Sequence, residues 1–393
     1  MIPQPPSPPV DAGLPALALL LRGEAKLILE AGLGESFTDV AATQVRYSPG
    51  AYVTTSYSVR DAKGAILTVC AHSGKRLPEN TSIVSDGDSN IAVWRFPHDP
   101  VLPGLVYTSS AELLAPLMAQ VGIKEPIRTI AVRSYRPRRR AVVEVSTAQH
   151  RLFLKVVKPS RVSDLQSVHK VAAGFLRVPR SLGWLPDLGI AILEALPGTS
   201  LRHRLDSGLH PLPSSQSLTN ILDQIPDMPA TSPGLIERLD AHRRFLDVIV
   251  PAEASRIARI VDEVATSPAE PIVPAHNDFH AAQVMVSGGA ITGLVDIDTL
   301  GSGHRADDYA MFLGHLYTSA LVSKRGEELA AYGAQLLSGF ERQISRTSLR
   351  LRTAAAVVGF ATAPFRSQQA DWPTAISKRL ASAEAWLESS AAA

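Results

Sequence analysis

Residues 276–298, "HNDFHAAQVMVSGGAITGLVDID", decide how the rest of the chain is read. An apolar run, "PIVPA" (271–275), leads into His276-Asn277-Asp278. Asp278 then stands in a loop ahead of "QVMV" (283–286). The turn formers "SGG" (287–289) reverse the chain, and "AITGLV" (290–295) delivers Asp296 at a second strand end. The pattern predicts two antiparallel strands that bring Asp278, Gln283 and Asp296 together. A carboxylate placed by a strand end beside His276 and His280 suits a general base that orients a hydroxyl nucleophile. Carboxylate and amide oxygens suit Mg²⁺, which takes one or two carboxylates and fills its shell with water and substrate phosphate. Zinc held by His276 and His280 is a rival. Their four-residue spacing converges only on a helix, however, and "HNDFH" follows a strand and lacks the glutamate of H-E-x-x-H. The bland alternative is a polar hairpin with turn-forming aspartates and surface histidines.

The bulk properties narrow the classes. A chain of 393 residues holds two or three compact units. Hydrophobic residues at 45% and charged residues at 19% are a globular balance, which excludes a largely disordered chain. The formal net charge, 39 − 37 = +2, gives no reason to expect a nucleic-acid or membrane partner. Cys70 is the only cysteine, so an internal disulfide and a cysteine metal site are excluded. The start, "MIPQPPSPPV", has five prolines and no basic residue, unlike an export signal, and a cytoplasmic protein is expected. It reads as a disordered tip. The apolar run "LPALALLL" (14–21), followed by Arg22, Glu24 and Lys26, is too short to span a bilayer and predicts an amphipathic helix over about 14–31.

Up to about residue 200 the chain reads as strands and turns, and beyond it as helices. Two similar stretches, 44–71 and 131–158, each contain Val-Arg, Tyr-x-Pro and then strand, turn and strand. Tyr47 and Pro49 in the first correspond to Tyr135 and Pro137 in the second. This is either a degenerate duplication or the ordinary look of two β-meanders; only the second carries a strand lysine, Lys155. Helical periodicity marks 217–225, 234–250, 253–266 and 307–322, the last with Asp307 or Asp308 as its expected N-cap. At least three further helices follow.

"HNDFHAAQVMV…GLVDIDTLGSGHRADDYA" resembles H-G-D-x-H-x-x-N/Q-V-L-V…G-x-I-D-x-D/E…D-L-A, the motif of the aminoglycoside phosphotransferase and choline kinase superfamily. The resemblance covers roughly residues 125–393. It implies an α+β, protein-kinase-like bilobal fold: an accessory, cap-like subdomain over 1–125, a β-rich N-lobe and hinge over 126–200, and a helical C-lobe over 201–393. The Gln283 variant resembles the maltokinase and glucosamine kinase branch. The resemblance further implies Asp278 as catalytic base, Gln283 and Asp296 as Mg²⁺ ligands with Asp298 assisting, and Asp308 as a brace for the loop. Lys155 in "RLFLKVV" matches the strand lysine that meets the α/β-phosphates. "AILEALPGTSL" (191–201) resembles the inter-lobe hinge, with the backbone near Glu194, Ala195 and Leu196 against adenine. His276, at the head of the motif, is grouped with the nucleotide contacts. "RPRRR" (136–140) lies where such folds cover the phosphates, with Arg138 as the expected contact; a solvated hairpin tip is a second reading, and a nucleic-acid patch a third that one basic run on a near-neutral chain supports poorly.

Three departures stand out. Asn277 replaces glycine and His304 replaces a frequent aspartate. The helix after Lys155, "SRVSDLQSVHKVAAGF" (160–175), has no glutamate to pair with that lysine and only Asp164 as an acid. The expected activity is ATP- and Mg²⁺-dependent phosphate transfer to a hydroxyl of a sugar or amino sugar. The alternatives are an aminoglycoside acceptor, or an inactive nucleotide-binding module.

Overall fold

The computed structural model describes residues 6–228 and 232–391. Residues 1–5 of the Pro-rich tip, expected to be disordered, lie outside the described residues. The helix expected over 14–31 is two helices, Ala16–Leu19 and Glu24–Leu33. At the break the buried Tyr57 hydroxyl donates to the Leu20 carbonyl at 2.7 Å, the oxygen that a continuous helix would offer to the N–H of Glu24.

The chain forms two compact units. One comprises residues 1–166, 180–195 and 364–372, the other 167–179, 196–363 and 373–393.

The first unit holds two five-stranded sheets. Strands β1 (Phe37–Ser48), β2 (Tyr52–Asp61), β3 (Ile66–Gly74), β4 (Ser82–Asp86) and β5 (Ser89–Arg95) form one, in the order β1-β2-β3-β5-β4. Strands β6 (Thr129–Arg136), β7 (Arg140–Ser146), β8 (Arg151–Val157), β9 (Ser181–Leu185) and β10 (Ile190–Glu194) form the other, in the order β6-β7-β8-β10-β9. The two orders are the same, and so are details that no meander requires. Asp11 accepts the Tyr47 hydroxyl at 2.6 Å and the N–H of Gly50 at 2.7 Å. Asp99 accepts the Tyr135 hydroxyl and the N–H of Arg138, both at 2.8 Å. The offset is constant: 99 − 11, 135 − 47 and 138 − 50 all equal 88. The stretch is therefore a structural repeat, which decides between the two sequence readings.

Pairing across the second sheet sets its faces. Tyr135, Ala141 and Val156 are opposite one another and share a face, as do Ser134, Val142 and Lys155 on the other. Ala141, Val143, Leu154 and Val156 pack with Leu114 and Met118 of the helix Ala111–Gln120 in one buried cluster.

The second unit is helical apart from β11 (Thr199–Ser200), β12 (Val273–Ala275), β13 (Val284–Ser287), β14 (Ala290–Leu294) and β15 (Gly301–Gly303). β13 and β14 form the predicted antiparallel hairpin, with β11 added beside β13, and β12 pairs with β15. The helix Arg305–Ala320 is buried along most of its length and packs on Arg346–Phe360. It begins earlier than expected: His304 holds the N-cap position, and Asp307 and Asp308 lie in the first turn. Neither aspartate caps its own helix, because both carboxylates are taken by other segments. No helix among the described residues is long and apolar enough to cross a membrane.

Candidate active site

β12 carries the chain into a turn at Asn277, whose φ of 64° lies in the left-handed region. Asparagine tolerates that region better than other non-glycine residues, so the turn survives the loss of glycine. Two hydrogen bonds tie the turn to the segment that follows β14. Asn277 Nδ2 donates to the Thr299 carbonyl at 3.0 Å, and Thr299 Oγ1 donates to the His276 carbonyl at 2.8 Å. From the far side, Asp308 accepts the N–H groups of His276 and Asn277, each at 2.8 Å. This is the bracing role expected of it. Asp308 is 1% exposed, and burial pushes its carboxyl up to about 7 against the pull of the two N–H donors. Its neighbour Asp307 pairs with Arg352 and accepts the N–H of Leu235 at 2.9 Å. It thereby caps the helix Leu235–Ile249, whose own N-cap residue is Gly234.

Asp278 leaves this turn and meets Gln283. The Gln283 amide donates through Nε2 to Asp278 Oδ2 at 3.2 Å. The main chain of Gln283 is held on both sides, donating to the His280 carbonyl and accepting from Val295 N–H, both at 2.9 Å. The second bond places Asp296, the next residue, beside the Gln283 strand. Asp296 itself takes a φ of 54°, and Asp298 follows in the short turn Ile297–Thr299. With its nitrogen committed to Asp278, Gln283 keeps a buried Oε1 that has no hydrogen-bond partner. A buried acceptor without a donor is costly unless something electropositive reaches it. An amide oxygen left so, with two aspartates just beyond the end of the adjacent strand β14, fits a hard divalent cation.

His276 is fully buried, its ring 5.8 Å from that of Phe279, and neither ring nitrogen has a hydrogen-bond partner. Burial pushes it down to about 4, so it is neutral. The sequence reading missed a second histidine. His315 stacks on His280, ring centroids 4.6 Å apart and planes 14° from parallel. Burial, and then His280, lower His315 to about 3. Its signal was present: His315 lies two helical turns after Asp308.

The other expected residues belong to the first unit or to its junction with the second. Lys155 is 6% exposed and lies between Val142 and Ala191, on the sheet face opposite Val156. Asp164, its only candidate helix partner, has a side chain 71% exposed and is engaged by Arg161 at 3.8 Å. At the junction, Glu194 N–H donates to the Arg180 carbonyl and Ala195 N–H to the Arg151 carbonyl, both at 2.9 Å. Leu196 N–H has no acceptor among the described residues. Arg138 turns its guanidinium to the ring of His72 in the first sheet.

A loop braced around an aspartate, an amide beside it and a hairpin leading to two more carboxylates match the arrangement expected of a small-molecule phosphotransferase, the class that the family comparison supports. The model of the phosphotransferase enzyme family matches residues 132–346, more than half of the chain, and the chain belongs to that family. The match begins in β6, so the first sheet lies outside it. Among solved structures, choline kinase from Cryptosporidium parvum Iowa II is similar at a TM-score of 0.50 and 13% identity, covering 71% of this chain and 96% of that one. It shows the shared kinase-like α+β fold. A thermostable mutant of aminoglycoside phosphotransferase APH(4)-Ia in its apo form has a TM-score of 0.49 at 15% identity, covering 70% and 97%. No curated protein matches.

Proposed function

We propose that the protein transfers the γ-phosphate of ATP to a hydroxyl of a sugar or amino sugar. The observation that carries the reading is the Asp278–Gln283 contact, which leaves Gln283 Oε1 buried and without a donor. Asp278 orients the acceptor hydroxyl and takes its proton as the oxygen bonds to the γ-phosphorus and the bond to the β-phosphate oxygen breaks, releasing ADP. Gln283 and Asp296, with Asp298 assisting, would hold Mg²⁺, which would supply neutralisation of phosphate charge. Lys155 meets the α/β-phosphates, and the backbone about Glu194 and Leu196 meets adenine. His276 shapes the loop through its braced main chain, a reading its burial supports over a nucleotide contact. The sugar acceptor rests on the Gln283 and Asp298 pattern and on the extra N-terminal sheet.

The test is a mass-spectrometric transfer assay with ATP, Mg²⁺ and a pooled panel of sugars, amino sugars, aminoglycosides and amino alcohols. A phosphorylated sugar, absent with Asp278→Asn, is the expected result. Phosphorylation of aminoglycosides alone would move the acceptor class. ATP binding that ignores Mg²⁺, with no product, would favour the inactive module.

A further inference from the structure

The repeat in the first unit has a chemical consequence. The hairpins close alike, Ser48 opposite Tyr52 and Arg136 opposite Arg140. The next strands register alike, Tyr52 opposite Gly74 and Arg140 opposite Val157. Counting back two residues along each third strand, His72 stands in the first sheet where Lys155 stands in the second. Their neighbours agree: His72 lies between Thr54 and Ala92, and Lys155 between Val142 and Ala191.

Around His72 is an open cavity of about 400 Å³, lined by Arg46, Tyr52, Lys75, Arg76 and Arg138 among others, with no carboxylate in its lining. None of these four cations forms a side-chain ion pair with a carboxylate among the described residues. Arg46 lies in the same cross-strand row, opposite Thr54, with its guanidinium 5.2 Å from the Tyr52 ring centroid. Arg138 comes from the second sheet and is held on purpose-built contacts. Its N–H is on Asp99, one guanidinium nitrogen is on His72 Nε2, and its buried Nε has no hydrogen-bond partner. His72 Nδ1 is 2.8 Å from Thr54 Oγ1. Burial, and then Arg138, lower His72 to about 4, so its ring is a neutral acceptor and adds no charge. The backbone at Arg138 argues further. Its φ is 60°, and the repeat-equivalent residue is Gly50 at 61°. Glycine occupies that position without strain; an arginine there bears strain in order to place its side chain.

Asp99, beside Arg138, is shared with Tyr135 and two main-chain N–H groups and offsets at most one of these charges; the remaining cations, gathered around a neutral imidazole, repel one another unless a further anion joins them. We propose that this cavity is a binding site for a phosphate-bearing small molecule with two or more negative charges, separate from the transferred nucleotide. Separation follows from the sheet faces. Tyr135, which shares Asp99 with Arg138, lies on the Val156 face of the second sheet, and Lys155 lies on the other.

The test is calorimetric titration of the full chain with pyrophosphate at low ionic strength, with and without a saturating non-hydrolysable ATP analogue. The expected result is binding in both conditions. Arg46→Ala and Arg76→Ala, both at exposed positions, should each weaken it tenfold or more while leaving the melting temperature and the affinity for the ATP analogue unchanged. Absence of pyrophosphate binding, or binding indifferent to both substitutions, would overturn the site. Pyrophosphate displaced one-for-one by the analogue and lost in Lys155→Ala would instead place the phosphate on the nucleotide and overturn the separate ligand.

Discussion

Asp308 reaches from the first turn of the helix Arg305–Ala320 to the main-chain N–H of Asn277, 2.8 Å away and 31 residues earlier in the chain. Together with its bond to His276 N–H, this contact positions the residue before Asp278. Asp308→Ala leaves two buried N–H groups unpaired, at about 1–3 kcal/mol each. Asp308→Asn keeps one acceptor oxygen. Urea denaturation is expected to rank wild type above Asn above Ala, and the phosphate-transfer rate should fall in the same order. Equal stability of the Ala variant and wild type would contradict the brace.

Asn277 tests the turn itself. Asn277→Gly keeps the left-handed backbone and loses the bond to the Thr299 carbonyl, a cost of about 1 kcal/mol. Asn277→Val adds a β-branched side chain where φ is positive and is expected to cost more than Gly by about 1–2 kcal/mol, with loss of activity. The melting temperatures of the two variants decide it; Val as stable as Gly would show that the turn does not need this backbone.

The two copies of the hairpin network predict unequal costs for the same substitution. Asp99 is buried and accepts from Tyr135, Arg138 N–H and Val101 N–H, while Asp11 is half-buried with the three equivalent contacts, from Tyr47, Gly50 N–H and Gly13 N–H. Asp99→Ala should therefore cost about 2–4 kcal/mol, and Asp11→Ala about half as much, because water can reach the orphaned donors there. Denaturant midpoints of the two variants measure the ratio.

Acid should destabilise the fold in a definite window. Burial lowers His72 and His276 to about 4 and His315 to about 3. Near pH 5 the unfolded chain protonates these three rings, which the fold keeps neutral. Asp308, raised to about 7, works the other way, being protonated in the fold and ionised in the unfolded chain. From these four groups the unfolded state binds a net of about two extra protons, so stability rises with pH by roughly 2–3 kcal/mol per unit between about pH 4.5 and 6. Unfolding free energies across that window should show the slope, and His315→Phe should reduce it by about one proton. A flat profile would refute the assignment.

What was legible in the sequence was local. The hairpin β13–β14, the adjacency of Asp278 and Gln283, the strand-rich first half and most helix positions follow from alternation, turn chemistry and helical period, which act over a few residues. The break at Leu20–Gly23 was not legible, and neither was its contact with Tyr57, 37 residues away, which donates to the Leu20 carbonyl. The same holds for Asp307 and Asp308: their place before a helix suggested caps, and distant N–H groups claimed both carboxylates. His315 was overlooked because only the folded helix turns it onto His280.

The repeat divides in the same way. Tyr47, Pro49, Tyr135 and Pro137 were visible as recurring residues, and Asp11 and Asp99 were present in the chain without any local sign that they belonged together. By itself the sequence pointed to the class of chemistry, because Asp278, Gln283, Asp296 and Asp298 were close enough along the chain to be read as one hairpin. Only the tertiary structure decided which donors the buried aspartates satisfy, and that His72 takes the register position of Lys155. Pairing between strands far apart in sequence depends on which polar groups burial leaves without water, and no local pattern records that.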